Sequence, residues 1–405
     1  MVHPQSDVGL QLQGLPIVDT FYDARWFPAT TARVVFALPA RLVQERILLF
    51  VSLPEVRSMK LKQLLALSFV AAVAACSDAS TPTQAIDPNS VDLSVAESMG
   101  FDLATSTKIK VFPTVQVAQA AQRKNAGIFA GPPMLYHAGG RVIPLPRVAA
   151  VYWSNSVIYN GGPAPGTSGL GSADGSMIGK FMRTMGGTPF WSINHEYTDN
   201  VLGAHSVSLN LSYTRFYANN VGAPGPGSNV SDAAIRAMLA ATVGTANLPF
   251  DQQTIYAVFS GTGVNLGGGF GSQYCAYHSF FPRPGFPGTW IIYSAQPRDA
   301  DFTGTGCTAV NTPATGSPTG DFSADATINV LSHEIEEAAT DPGLNAWFDA
   351  FGSENADKCA WTFLPTFPAT LGGQANVTFS GQQYLIQRNW RLGPNLANQV
   401  GCTLS

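Results

Sequence analysis

INVLSHEIEEAATDP occupies Ile328–Pro342, and its reading decides the fold. It is the second half of a longer run, Ser323–Thr340, that is the best helix of the chain. Ser323 or Asp325 can cap it, and Pro342 follows its end. On a helix, positions i and i+4 share one face, so His333 and Glu337 project together. The run begins like H-E-x-x-H, a pattern whose two histidines hold zinc while the intervening glutamate activates a water. Here Glu337 stands where the second histidine would be and Glu334 keeps the base position. Imidazole and carboxylate are both competent zinc ligands. A second carboxylate lowers the positive charge left on the metal, so a bound water would be less acidic than in a two-histidine site.

A further ligand is expected downstream, where GSENADKC (Gly352–Cys359) supplies Glu354 and then Asp357. The arrangement resembles the glutamate-type zincins, whose third ligand is a downstream glutamate with an aspartate close behind. That resemblance implies Glu354 as ligand and Asp357 as the group that orients His333; the spacing leaves the reverse assignment open. The metal set is therefore His333, Glu337, Glu354 and Asp357, with Glu334 and His278 as catalytic candidates and zinc as the cofactor. His278, in YCAYHS, would complete the metal shell or stabilise an oxyanion. The competing expectation is a solvated acidic helix face with no metal at all.

Composition sets the surroundings. The chain has 405 residues, a net charge of -4 and only 12% charged residues, about half the usual share. No Lys/Arg cluster marks a nucleic-acid footprint, so no nucleic-acid partner is expected. Forty glycines and 28 prolines without a period describe a turn-rich globular protein with many short strands. MKLKQLLALSFVAAVAAC (Met59–Cys76) has a lysine-bearing start, an apolar stretch too short to span a bilayer, and Val-Ala-Ala-Cys at its end. It reads as a lipoprotein signal whose Cys76 carries lipid. Residues 1–58 then read as a spurious extension and 77–131 as a flexible tether, with a short helix near Val115–Arg123. The expected location is the cell envelope, lipid-anchored to a membrane (the outer one in a Gram-negative cell), or secreted. Cys275, Cys307, Cys359 and Cys402 remain, and an exported chain would pair them. Of three connectivities, Cys275–Cys307 with Cys359–Cys402 is the simplest.

Residues 132–405 read as one domain of α+β (or α/β) class with a central sheet and a zincin-like active-site helix. Strands are expected at Arg147–Asn155, Gln253–Gly261 and Gly288–Gln296, and helices at Ser172–Gly187 and Val230–Gly244. Pro189–Asp199 is expected to be a strand or extended. Late strands are expected near Asn376–Gly381 and Tyr384–Trp390. Asn265–Ser272 lacks a lysine and a phosphate-loop spacing, so it is a loop. His137 and His195 are expected to be structural, and no G-x-S-x-G elbow appears.

YHAGG, VYWSN, YCAYHS and SHEIEEAATDPGLNAWFD…ENADKC together resemble the plant exordium family, also called phosphate-induced protein 1. The likeness runs from about Tyr136 to Cys402. It implies a secreted or wall-associated protein and a compact domain, but no reaction. Two functions follow as expectations. One is a membrane-anchored zinc-dependent hydrolase of peptidase type that acts on a peptide. The other is a non-catalytic surface protein, with a structural metal or none, that binds a wall polymer or signals.

Overall fold

The computed structural model describes residues 109–124, 131–308, 311 and 314–405. The lipoprotein signal, Cys76 and the 1–58 extension lie outside the described residues. Seven strands form one mixed sheet: β1 (Ile109–Pro113), β2 (Arg147–Trp153), β3 (Ser168–Leu170), β4 (Ser212–Tyr217), β5 (Thr254–Ser260), β6 (Tyr274–Pro282) and β7 (Trp290–Gln296). Their spatial order is β1-β6-β7-β5-β2-β4-β3. The four inner strands β7, β5, β2 and β4 run parallel, and β1, β6 and β3 close the two edges antiparallel to their neighbours. This is an α+β fold with a large central mixed sheet.

Of the inner strands, β2, β5 and β7 read as near-continuous apolar runs because both faces of the sheet are covered there. Val148, Ala150 and Tyr152 of β2 face one core with Ile178, Phe181 and Met182 of α2 (Met177–Met185) and Ile328, Leu331 and Ile335 of α4 (Phe322–Thr340). Ala149, Val151 and Trp153 face the opposite core with Ile235, Met238 and Leu239 of α3 (Asp232–Thr242). Period-2 alternation thus divides one strand between two cores. Among the described residues no helix is long and apolar enough to cross a membrane.

Several expectations change. The short helix expected near Val115–Arg123 forms as α1 (Val115–Lys124), but residues 109–113, placed in the tether by composition, form β1 and belong to the sheet. Pro189–Asp199 is mostly not extended: Pro189–Ser192 makes one helical turn, a 3-10 turn follows at Ile193–Glu196, and only Thr198–Asp199 forms a short strand. Thr188 caps that turn by accepting from the Trp191 amide, and Pro189 has its fixed φ at the favoured first position. Tyr384–Trp390 is split between strands ending at Tyr384 and starting at Asn389. Helix α2 starts later than Ser172, at Met177, because Ser176 is its cap. Neither Ser323 nor Asp325 caps α4; Asp321 does, accepting from the Ser323 and Ala324 amides at 3.0 and 3.2 Å. Both disulfides form in the favoured pairing, Cys275–Cys307 and Cys359–Cys402.

Asp325, one turn into α4, is buried and accepts from Ser317 Oγ. Burial, only partly offset by hydrogen bonds from Ser317 and Thr319, pushes its carboxyl up from 3.8 to about 6. A raised folded-state pKa means that the stabilising contribution is full below the unfolded value and is lost as pH rises through about 6. Asp325→Asn is therefore expected to gain about 2–3 kcal/mol over the parent at pH 8 and almost nothing at pH 4. Urea unfolding at the two pH values measures this, and an equal gain at both would contradict it.

Candidate metal centre

Helix α4 is apolar on most sides and buried on all of them. Every residue from Ala324 to Thr340 is inaccessible, including Glu334, Glu336 and Glu337. The solvated acidic face anticipated as an alternative is therefore absent, and these carboxylates need internal partners. The helix ends at Asp341, whose Oδ1 accepts from the Asn345 and Ala346 amides at 2.6 and 2.7 Å and folds the chain back. Asp349 then gathers the loop by accepting from the Phe351 and Ser353 amides. Glu354 follows, and Asp357 opens a 3-10 turn ended by Cys359, which is tied to Cys402. From the sheet, β6 supplies His278, which lies in register with Lys110 of β1.

These segments converge on one point. His333 Nε2 lies 3.1 Å from Glu337 Oε1 and 3.6 Å from Asp357 Oδ1. His278 Nδ1 lies 3.1 Å from Glu334 Oε2 and 3.6 Å from Glu337 Oε2, and its Nε2 lies 3.5 Å from Glu354 Oε2. Two sets of three donors result, each with ligand atoms within 4.8 Å of one another: His278, Glu337, Glu354 and His333, Glu337, Asp357. Lys110 Nζ pairs with Asp357 Oδ2 at 2.8 Å and donates to Gly352 O at 2.6 Å.

Gln387 braces the second imidazole. Its backbone amide donates to Asn329 Oδ1 at 2.7 Å, and its Nε2 donates to Ala356 O at 2.8 Å and His333 Nδ1 at 3.0 Å. That contact puts the His333 proton on Nε2. Ligation through Nε2 requires the other tautomer, whose Nδ1–H a turned Gln387 amide would accept through Oε1 at the cost of its bond to Ala356 O.

Electrostatics leave the centre short of positive charge. Burial, then Glu337 and Asp357, push the Glu334 carboxyl well up. Burial and then Asp357 raise Glu337, and burial followed by Glu337 and Asp341 raises Glu354 well above its ordinary value. Burial, with Lys110 and His333 adding to it, keeps His278 neutral, the form that binds metals. His278 Nε2, His333 Nε2, Glu337 Oε2, Glu354 Oε2 and Asp357 Oδ1 are all buried without a hydrogen-bond partner. Buried polar atoms of this kind are ordinarily paired, and bound metal cations are partners that would satisfy them. The donor set fits zinc.

All six residues singled out in the sequence are brought together, although their grouping differs from the expected one. Asp357 shares the His333 cluster, Glu354 shares the His278 cluster, and Gln387 occupies the orienting position expected of Asp357. His137 stacks on Phe348 and contacts its carbonyl, and His195 contacts Val207 O, both away from the centre.

The model described as the phosphate-induced protein 1 conserved region matches residues 183–385. The chain belongs to this family. The matched stretch holds His278, all of α4, Glu354 and Asp357, whereas Lys110 and Gln387 lie outside it. No curated protein and no solved structure matches the chain.

Two contributors escaped the sequence reading. Lys110 sits in IKVFP, where a lone lysine gives no sign of burial. Gln387 has an uncharged, common side chain, and its only signal is the flanking apolar run.

Proposed function

We propose that this member of the phosphate-induced protein 1 family is an exported protein, anchored to the cell envelope through lipid on Cys76, that holds divalent metal, zinc by its donor set, at the buried centre. The observation that carries this reading is the convergence of two imidazoles and three carboxylates with unpartnered, fully buried donor atoms. Two disulfides support an oxidising compartment. Because the centre is enclosed, the metal's role in this closed domain is to tie β6, α4 and the 354–357 turn together. The anchored domain would present its surface to a wall polymer or a protein partner.

A second reading is favoured by Glu334, which follows the first ligand and lies 3.1 Å from His278 Nδ1. A bound zinc ion would supply Lewis acidity and a more acidic water. Glu334 would then accept a proton at its carboxylate, and His278 Nδ1–H would hold that carboxylate in place. This hydrolase, acting on a peptide, requires a route to a centre that is closed in this structure.

Metal analysis of the purified chain is expected to find zinc. His333→Ala should weaken zinc at least tenfold at the ion it ligates, whereas Glu334→Gln should keep the parent's zinc content. If the parent cleaves peptides, Glu334→Gln is expected to lose 100-fold or more. A metal-free parent after loading with zinc would refute the metal reading, no cleavage by the zinc-loaded parent would refute hydrolysis, and equal turnover by the parent and Glu334→Gln would refute Glu334 as the base.

A further inference from the structure

We infer that the centre is built for two divalent cations bridged by the Glu337 carboxylate, an inference that rests on the metal-binding reading above. The two donor sets share Glu337 alone. Its oxygens are divided between them: Oε1 lies 3.1 Å from His333 Nε2, and Oε2 lies 3.6 Å from His278 Nδ1. Donors held about 2.0–2.2 Å from a tetrahedral zinc sit roughly 3.4 Å apart. The neighbouring donors His333–Glu337 and His333–Asp357 lie at 3.1 and 3.6 Å, and His278–Glu354 at 3.5 Å. A carboxylate with one oxygen on each ion spans the roughly 3.5–4 Å separation of two-metal sites.

The buried orphan atoms fall on both sides of Glu337. His333 Nε2 and Asp357 Oδ1 belong to one set; His278 Nε2, Glu354 Oε2 and Glu337 Oε2 belong to the other. A single ion in either set leaves the other's imidazole nitrogen and carboxylate oxygen buried without a partner. The imidazoles are also anchored separately, His278 by Glu334 and His333 by Gln387, each through Nδ1. That leaves Nε2 of His333 toward Glu337 and Asp357, and Nε2 of His278 toward Glu354.

The test is stoichiometry. The full chain, stripped with a chelator and dialysed against zinc, is weighed by native mass spectrometry. Two zinc ions per chain are expected. Glu354→Gln and Asp357→Asn should each retain one ion, and Glu337→Gln should weaken both. One ion in the parent, lost alike in Glu354→Gln and Asp357→Asn, would overturn the two-ion centre and keep the metal reading. No ion in the parent would overturn both. Should a variant fail to fold, as judged by circular dichroism, the parent's own count still decides.

Discussion

Replacing Lys110 by methionine is expected to destabilise the metal-free domain by about 3–5 kcal/mol, the cost typical of removing one partner of a buried ion pair. The lysine belongs to the edge strand β1, outside the family-matched stretch, yet its ammonium is aimed into the centre. Its side chain is 5% exposed and that of Asp357 is 4% exposed. Burial alone would lower the lysine's pKa. Asp357, Glu354 and Glu337 together outweigh burial and hold it above its ordinary value, so it is charged at every working pH. Methionine keeps the aliphatic bulk and removes the charge. Asp357 then loses its cation, and the Gly352 carbonyl loses its donor. Zinc should offset part of the loss, because a dication beside Asp357 replaces the missing ammonium. Urea unfolding with chelator and with saturating zinc measures both effects. A loss below about 1 kcal/mol in chelator would show that Lys110 does not stabilise the carboxylate cluster.

This dependence on Lys110 also marks where the sequence stops being legible. Helix α4 was readable because a local rule sufficed: i, i+4 spacing brings His333 and Glu337 together, and Pro342 ends the run. Strands β2, β5 and β7 were readable from their apolar β-branched and aromatic runs. Strand β6 was not, because YCAYHSFFP mixes aromatic, cysteine and histidine residues that invite a functional reading before a structural one. Strand β1 was hidden for a related reason: lysine is rarely buried unless paired, and its partner Asp357 is 247 positions away in sequence. The acids of α4 show the same limit. A count of glutamates cannot distinguish a solvated face from a buried cluster; that depends on β6 and the 354–357 turn packing over the helix. Gln387 reaches His333 only after the chain has returned from the last hairpins. Local spacing thus pointed to the candidate donors, while their grouping and the groups that orient them came from long-range packing.

Reducing the Cys359–Cys402 bridge should have an effect of similar size, by a different route. The bridge closes a sequence separation of 43 residues, and Cys275–Cys307 closes 32. Loop-closure entropy assigns each about 4 kcal/mol, which native-state strain or denatured-state structure can reduce. The two bridges are expected to differ in what else they disturb. Cys275 and Cys307 lie in the core on the α3 side of the sheet, and Cys275 is three residues from His278. Cys359 follows Asp357 in the same 3-10 turn, so its bridge fixes the turn that carries Asp357 and, just before it, Glu354. Cys359→Ala with Cys402→Ala should therefore lower zinc affinity as well as stability. Cys275→Ala with Cys307→Ala should lower stability by a similar amount and affect zinc less, because β6 is also held through its pairing with β1 and β7. Thermal unfolding of both double variants, each with and without zinc, separates the two contributions. If zinc raises the melting temperature of the Cys359/Cys402 variant as much as that of the parent, the bridge does not position the 354–357 turn, which is then held by Lys110 and by the Asp357 amide donating to Glu337 Oε1 at 2.9 Å.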